Sequence, residues 1–389
     1  MKLKLNVQSL IVWMFVVAML APGCMDDPNP VGVGLLPKDD TAVIDTATVY
    51  ATSHSSARSL VLTTGVTPMM VGKSGGYESW GYLRFNVPSE LSGARITGAT
   101  LQLRASYAFG DTLAPLSFTA YKAVGGYTAD SLTFDSLSQR PTDYYDNATV
   151  VGSLPSQTVS DTGIIQLTLD TAVVSSWFIN SLDSSNQGIY LKPTNANVIM
   201  GFSSFGEGNP DYWPKLIVNY VLTGLAGSAV DSTGRSRFVG NITQSALVQD
   251  PQFMYVQNGV AFHGFTTFNV TPVPFPSAIH KAELVLTLDT LKSSPLSKFA
   301  QDVLFVSFLR ADGTVEVQSP AQQFNSTGRP VYHFLINHFV EQWSRYGTPP
   351  TLTIAGYTER VSFDRFVFYG SQADSSLRPH ISINYSVVR

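Results

Sequence analysis

The sequence has little charge, a single cysteine, and no long apolar run beyond its first residues. Charged side chains make up 13% of the 389 residues, about half the share in an average soluble protein. The chain also contains 30 glycines and 22 prolines. Long surface helices need many charged positions, so this composition argues against them and favours strands joined by turns.

The charge balance and the cysteine count exclude several classes of protein. A net charge of −4 argues against nucleic acid as a partner, because phosphate backbones require a basic surface. Cys24 has no second cysteine for an internal disulfide, and no Cys/His cluster has zinc spacing. We therefore expect no disulfide and no cofactor, and the length suggests about two domains.

The first residues are typical of a secretory signal. Lys2 and Lys4 precede an apolar run over residues 10–21, and small residues follow. The run is shorter than the roughly 20 residues that span a bilayer as a helix. Residues 1–23 are therefore predicted to be a cleaved signal peptide, with a permanent transmembrane anchor as the less favoured alternative.

Cys24 lies where the lipobox of bacterial lipoproteins has its cysteine. Gly23 fits the position before it, although Ala21 stands where that family prefers leucine. The resemblance implies that Cys24 is lipidated and becomes the mature N-terminus; the alternative is an ordinary leader with Cys24 a bystander. Asp26 and Asp27 resemble the surface-export signals of such lipoproteins. They imply an outer-membrane lipoprotein at the cell surface, or alternatively on the periplasmic face.

An internal repeat defines the architecture. Phe268, Ile279 and Ala282 occur at the same spacing as Phe85, Ile96 and Ala99, without a gap. A tryptophan segment and a closing Pro-strand-Asn-Tyr segment also occur twice, with a shorter middle part in the second copy. Two tandem domains of one fold follow.

Within each copy apolar and polar residues alternate, as in half-buried antiparallel strands. Trp177 and Trp343 instead lie on helical patterns, with Asp170 a plausible N-cap of the first. We predict an all-β protein with two tandem antiparallel β-sandwich (jelly-roll-like) domains, each with one short helix whose tryptophan fills the core. The expected boundaries are a signal peptide (1–23), a lipidated tether (24–44), a first sandwich (45–222), a linker (223–229) and a second sandwich (230–389).

The first copy resembles the DNRLRE-type domain. The matching elements are YLRFNV, ITGATLQL, LTLDTAVVSSW, NQGIYLKP and FSSFGEGNPDYWPKLIVNY, in that order. The second copy keeps Phe268, Ala282 and Trp343, but Thr267 replaces the arginine before the phenylalanine. The resemblance implies a secreted or surface-exposed antiparallel sandwich related to carbohydrate-binding modules, with glycan binding in some members.

A catalytic arrangement is not evident. The carboxylates mostly lie beside Gly, Ser or Pro in predicted turns, the six histidines are scattered, and no Gly-x-Ser-x-Gly occurs. A structural calcium at Asp143 with Asp146, or at Glu207 with Asp211, is a weaker hypothesis than turn capping. We therefore expect a protein that is not an enzyme.

Aromatic residues in polar surroundings are the candidate ligand-binding residues: Tyr144 and Tyr145 in RPTDYYDNAT, and Tyr212 and Trp213 in GNPDYWPK. Exposed aromatic rings mark contact surfaces, although Trp213 could instead cover a sheet edge. The sequence thus predicts a surface lipoprotein held to the membrane by its N-terminal lipid and binding extracellular polysaccharide. The alternative is a structural or adhesive protein whose sandwiches are spacers or docks for a protein partner that the sequence does not identify.

Overall fold

The computed structural model describes residues 43–58, 68–124, 132–179, 186–206, 208–242, 250–260, 262–293, 304–309, 314–317, 322–326, 329–346, 351–356 and 361–387. Residues 45–389 form one compact unit. The predicted signal peptide, Cys24 and nearly all of the predicted tether lie outside the described residues. Within the described part, no helix has the length and apolar character to cross a membrane.

The chain folds into 22 strands and three α-helices, counted over the described ranges. The strands are β1 (Asp45–Arg58), β2 (Met69–Ser74), β3 (Tyr77–Phe85), β4 (Arg95–Gly110), β5 (Leu116–Ala123), β6 (Tyr145–Gln157), β7 (Ile164–Thr168), β8 (Ile189–Pro193), β9 (Val198–Phe202), β10 (Lys215–Leu222), β11 (Leu225–Asp231), β12 (Gly234–Ile242), β13 (Phe253–Gln257), β14 (Phe262–Phe268), β15 (Ser277–Thr287), β16 (Leu304–Leu309), β17 (Val315–Val317), β18 (Gln322–Ser326), β19 (Arg329–Leu335), β20 (Thr351–Gly356), β21 (Arg365–Tyr369) and β22 (His380–Val387). The helices are α1 (Phe134–Gln139), α2 (Thr171–Phe178) and α3 (Asn337–Tyr346).

The strands form two curled antiparallel sheets of 11 strands each, which confirms the all-β, two-sandwich prediction. The first sheet has the order β11-β10-β4-β9-β2-β3-β8-β5-β6, with β12 on β3 and β7 on β4. The second has the order β17-β16-β20-β14-β1-β22-β15-β19-β18, with β13 pairing β14 and β21. In β4 a register shift between Ala105 and Tyr107 marks the change from partners β7 and β10 to β9.

The repeat in the sequence is a repeat in the fold. Strands β14, β15 and β22 have neighbours equivalent by the repeat to those of β3, β4 and β10; for example, β13, β20 and β1 pair with β14 where β2, β8 and β12 pair with β3. The tryptophan segments are helices α2 and α3, and Trp177 and Trp343 are both buried, as predicted. Asp170 caps α2, since its Oδ1 accepts hydrogen bonds from the Ala172 and Val173 N–H groups at 2.8 and 2.9 Å. Helix α1 in the first sandwich was not predicted.

The predicted domain boundaries do not match the folded sandwiches, because a strand exchange pairs the first strands of each copy with strands of the other copy. Strand β1 precedes the first copy but pairs with β14 and β22 of the second sandwich. Strands β11 and β12 begin the second copy but pair with β10 and β3 of the first. The first sandwich therefore consists of β2 to β12, and the second consists of β1 with β13 to β22.

The expected linker over residues 223–229 is also wrong. Thr223 and Gly224 adopt φ values of 51° and 83° and form the tight turn of a hairpin in which Leu222 pairs with Leu225. Positive φ at both central positions is the geometry that joins antiparallel strands in two residues. The small residues after the turn are therefore strand β11 rather than a flexible connection.

Strand β1 is fixed in the second sandwich by side chains as well as by its ladders. His54 Nδ1 accepts a hydrogen bond from the Ser371 N–H at 2.9 Å, and its Nε2 is 3.2 Å from the Phe253 carbonyl oxygen. Burial lowers the pKa of His54, which favours the neutral ring that this pattern requires. Ser56 Oγ accepts from the Tyr255 N–H at 2.7 Å.

A buried junction joins the two sandwiches. Phe363 from the segment before β21 lies against Tyr77 and Phe109 of the first sandwich, with ring centroids 6.0 and 5.8 Å apart. The Tyr77 hydroxyl donates to Gln257 Oε1 at 2.8 Å, and the Phe363 N–H donates to the Tyr107 hydroxyl at 2.9 Å. Both copies therefore contribute to one continuous core at this place.

Candidate functional site

Tyr145 is buried, so the prediction that it presents an exposed ring is wrong. Only 3% of its surface is accessible, and it packs in a cluster on the outer side of strands β3, β5 and β8. Its ring centroid lies 5.5 Å from that of Trp80 and 6.0 Å from that of Tyr190. A substitution at Tyr145 would therefore disturb packing before it disturbed any ligand.

Tyr144 is half-buried against the same cluster, which α1 also covers. The Phe134 ring of α1 lies 6.2 Å from Trp80. Lys192 Nζ lies 4.9 Å from the Trp80 ring and 5.8 Å from the Tyr145 ring. The cation that these aromatic faces attract is the protein's own lysine, and the Trp80, Tyr145 and Tyr190 rings are buried. This cluster is therefore a structural feature and a poor candidate for ligand binding.

Tyr212 differs from the first pair because it is exposed. It ends a short 3-10 helix over Pro210–Tyr212, which Asn209 caps by accepting from the Asp211 N–H at 3.0 Å. Tyr212 is 37% exposed. The Arg104 guanidinium carbon lies 3.9 Å from its ring centroid, which holds the ring in place by a cation–π contact. Trp213, the next residue, is half-buried.

Arg104 belongs to the outer face of strands β7, β4 and β10. On β4, Gln102 and Arg104 alternate with the buried Leu101 and Leu103, so their side chains point away from the core. Gln102 lies opposite Gln166 of β7, which donates to it at 3.2 Å, and opposite Lys215 of β10. We call Gln102, Arg104, Gln166, Tyr212 and Lys215 the amide-cation face.

No carboxylate lies on the outward positions of the four strands β4, β7, β10 and β11. Their one acid, Asp231, is buried at the end of β11, where its Oδ1 accepts hydrogen bonds from the Thr233 N–H and hydroxyl at 2.9 and 2.8 Å. Burial raises the pKa of Asp231, and the Thr233 hydrogen bonds oppose the rise. The amide-cation face therefore offers donors, amide oxygens and positive charge.

The second sandwich lacks this combination. By the repeat, Val285 and Thr287 of β15 stand where β4 has Gln102 and Arg104, and Leu377 and Arg378 stand where the first copy has Tyr212 and Trp213. On the outer side of β15, Glu283 lies 3.2 Å from Lys281 Nζ and 3.5 Å from His333 Nδ1. The charges of this face neutralise one another, so any binding face of this type belongs to the first sandwich.

Several carboxylates of the first sandwich are engaged in other contacts, and Glu207 of the predicted calcium sites lies outside the described residues. Glu78 accepts from Trp80 Nε1 at 2.6 Å and pairs with Lys73 at 3.2 Å, while Asp135 pairs with Arg58 at 3.1 Å. Asp146 caps a turn by accepting from the Thr149 hydroxyl, which lowers its pKa. No group of three or more His, Cys, Asp or Glu in the described ranges is placed to hold a metal ion.

Comparisons with known proteins do not assign a family. No protein-family model matches the sequence, and no curated protein matches it. Among solved structures, a chain of the T13 particle of the virus IBDV gives a weak likeness at 12% identity, covering 90% of this chain and 75% of that chain. The TM-score of 0.12 is too low for the likeness to carry any argument.

Proposed function

We propose that the protein is a non-catalytic surface lipoprotein whose first sandwich binds extracellular polysaccharide at the amide-cation face. The observation that supports this most directly is the exposed Tyr212, held by Arg104 beside two glutamines and a lysine. An aromatic ring packs against the apolar side of a sugar, and amide and cationic groups donate to its hydroxyls. The outer face of several neighbouring strands also suits an extended polymer better than a small molecule, which needs a concave site.

Replacing Tyr212 by alanine is expected to weaken retention on the polymer that the unaltered chain binds about fivefold. The loss of a stacked ring is worth about 1 kcal/mol, and 1.4 kcal/mol corresponds to a factor of ten. The measurement is affinity electrophoresis or a pull-down of the purified chain against a panel of neutral and acidic polysaccharides. Tyr346→Ala is the matched control, because Tyr346 is an exposed tyrosine of α3 in the second sandwich.

The result that contradicts the proposal is equal retention of the Tyr212→Ala and Tyr346→Ala chains on every polymer that the unaltered chain binds. Retention of the unaltered chain on none of them would favour the structural or adhesive alternative. The buried junction between the sandwiches suits that second role, because it couples the two domains in one compact unit.

Membrane attachment through Cys24 is the other part of the proposal. The tether would join the described chain at β1, which belongs to the second sandwich. The proposed binding face lies on the first sandwich, to which the tether is not directly connected. Cys24→Ser is expected to move the protein from the membrane fraction to the soluble fraction. Metabolic labelling with a fatty acid checks this, and unchanged partitioning of the serine variant would refute lipidation at Cys24.

A further inference from the structure

Three arginines that are scattered in the sequence lie together on the first sandwich. Strand β12 pairs with β3 along its whole length, and Arg235 lies directly opposite Arg84, while Arg237 lies opposite Tyr82. Directly opposed residues have Cβ atoms about 5 Å apart, and two residues along a strand span about 7 Å. The strand exchange creates this arrangement, because β12 belongs to the second copy of the repeat.

The three side chains point to the outer side of the sandwich. Their neighbours along the strands, Ser236 and Phe238 on β12 and Leu83 and Phe85 on β3, are buried. Alternation therefore places Arg84, Arg235 and Arg237 on the opposite face. Arg235 is exposed, and Arg84 and Arg237 are partly exposed. We call these three residues the arginine patch.

The arginine patch carries positive charge that the described residues leave uncompensated. Like charges directly opposite on neighbouring strands destabilise a sheet, and none of the three arginines has an ion pair within the described ranges. Arg237 Nη1 donates to the Ser236 carbonyl at 2.7 Å, while its buried Nε has no partner there. The nearest acid along β3 is Glu78, at the other end of the strand and paired with Lys73.

On the side away from β12, the position beside Arg84 is a glycine, Gly188. Gly188, just before β8, has φ of 89°, and a Cβ at this position would lie 2.2 Å from the Leu83 carbonyl oxygen and 3.0 Å from Arg84 Cβ. A side chain is therefore excluded at Gly188. As a result, this position places no side chain beside Arg84.

We infer that the arginine patch binds the oxyanion groups, carboxylate or sulfate, of an anionic polysaccharide. A guanidinium presents a planar fork of N–H donors that matches an oxyanion in two parallel hydrogen bonds, and it stays charged at all physiological pH values. Three guanidinium groups, on strand positions within about 7 Å of one another, would hold one oxyanion group or two successive ones along the polymer. The inference rests on the proposed polysaccharide binding and specifies that the polymer is charged.

The test compares the full chain with Arg84→Gln/Arg235→Gln on polygalacturonate, dextran sulfate and neutral dextran. We expect the double variant to bind the charged polymers at least tenfold more weakly, and the unaltered chain to lose affinity for them as salt rises, because salt screens exposed charges. Arg95→Gln, an exposed arginine at the start of β4, controls for a general change in charge. Loss on one charged polymer alone identifies carboxylate or sulfate as the source of the oxyanion.

Two results would overturn the inference: binding of the double variant like that of the unaltered chain, or an equal loss in Arg95→Gln. Retention of the unaltered chain only on neutral polymers would also overturn the inference about the arginine patch, but it would leave the proposed function intact. Retention on no polymer would overturn the proposed function itself. Arg84→Lys/Arg235→Lys keeps the charge and removes the forks. Its affinity for the charged polymers is expected to be intermediate, and its thermal unfolding unchanged, which separates binding from folding.

Discussion

A chain from which residues 45–58 are deleted is expected to lose the folded second sandwich. The first half of strand β1 forms a ladder with β22, and its second half forms a ladder with β14. Its removal leaves one edge of β22 and one edge of β14 unpaired, and it uncovers the core around Val49 and Ala51, both 4% exposed. Unpaired backbone groups in a buried setting are too costly for the remaining strands to persist.

Hydrogen exchange read by mass spectrometry measures this loss. Amide protection is expected to disappear from β14, β20 and β22 in the deleted chain. Addition of a synthetic peptide of sequence DTATVYATSHSSAR should restore it, because the gap requires that register. A scrambled peptide of the same composition is the control and should restore nothing. Full protection of β14 and β22 in the deleted chain without peptide would refute the structural role of β1.

The repeat made much of the fold predictable, and the reason is local. Phe85 and Phe268 occupy equivalent positions because each is the buried last residue of its strand, β3 or β14. Trp177 and Trp343 are recognisable because their segments have helical spacing. Both signals lie within a few residues of one another. Periodicity therefore sufficed for these strands and for helices α2 and α3, but not for α1.

The strand exchange was not predictable in the same way. Similarity between copies shows which segments are equivalent, but it does not show which copy's sheet a terminal strand joins, since both gaps accept a strand of the same kind. The turn at Thr223–Gly224 has a signal in the sequence, because a two-residue Thr-Gly connection between apolar segments is compatible with a hairpin. The arginine patch depends on the strand exchange, so the sequence alone does not predict it either.

The candidate site was predictable in part. Polar neighbours suggested exposure for both aromatic pairs, and this holds for Tyr212 but not for Tyr145. The difference is that Tyr145 begins a strand beside Trp80 and Tyr190, whose outward positions on β3 and β8 form a second apolar cluster. An aromatic residue at every second position of neighbouring strands is the signal that could have revealed this cluster.

Phe363→Ala is expected to lower the free energy of unfolding by about 3–5 kcal/mol, the usual cost of removing a buried phenylalanine. Phe363 is fully buried, and its ring also lies 6.4 Å from that of Phe238 on β12. Alanine would leave a cavity against both sandwiches, since the rings around it are held by their own strands. Chemical denaturation followed by tryptophan fluorescence gives the change.

The same experiment tests whether the junction couples the sandwiches. Tyr107, whose pKa burial raises, remains a neutral hydroxyl that the Phe363 backbone N–H can still reach, so the alanine variant should lose packing and keep this hydrogen bond. Leu291→Ala is the control, because Leu291 is 97% exposed and its loss should change stability by less than about 0.5 kcal/mol. If Phe363→Ala lowers the free energy of unfolding no more than Leu291→Ala does, the two sandwiches fold independently of this contact. If the loss is large and the Trp177 and Trp343 signals change in a single transition, the strand exchange and the junction make the two sandwiches one cooperative unit.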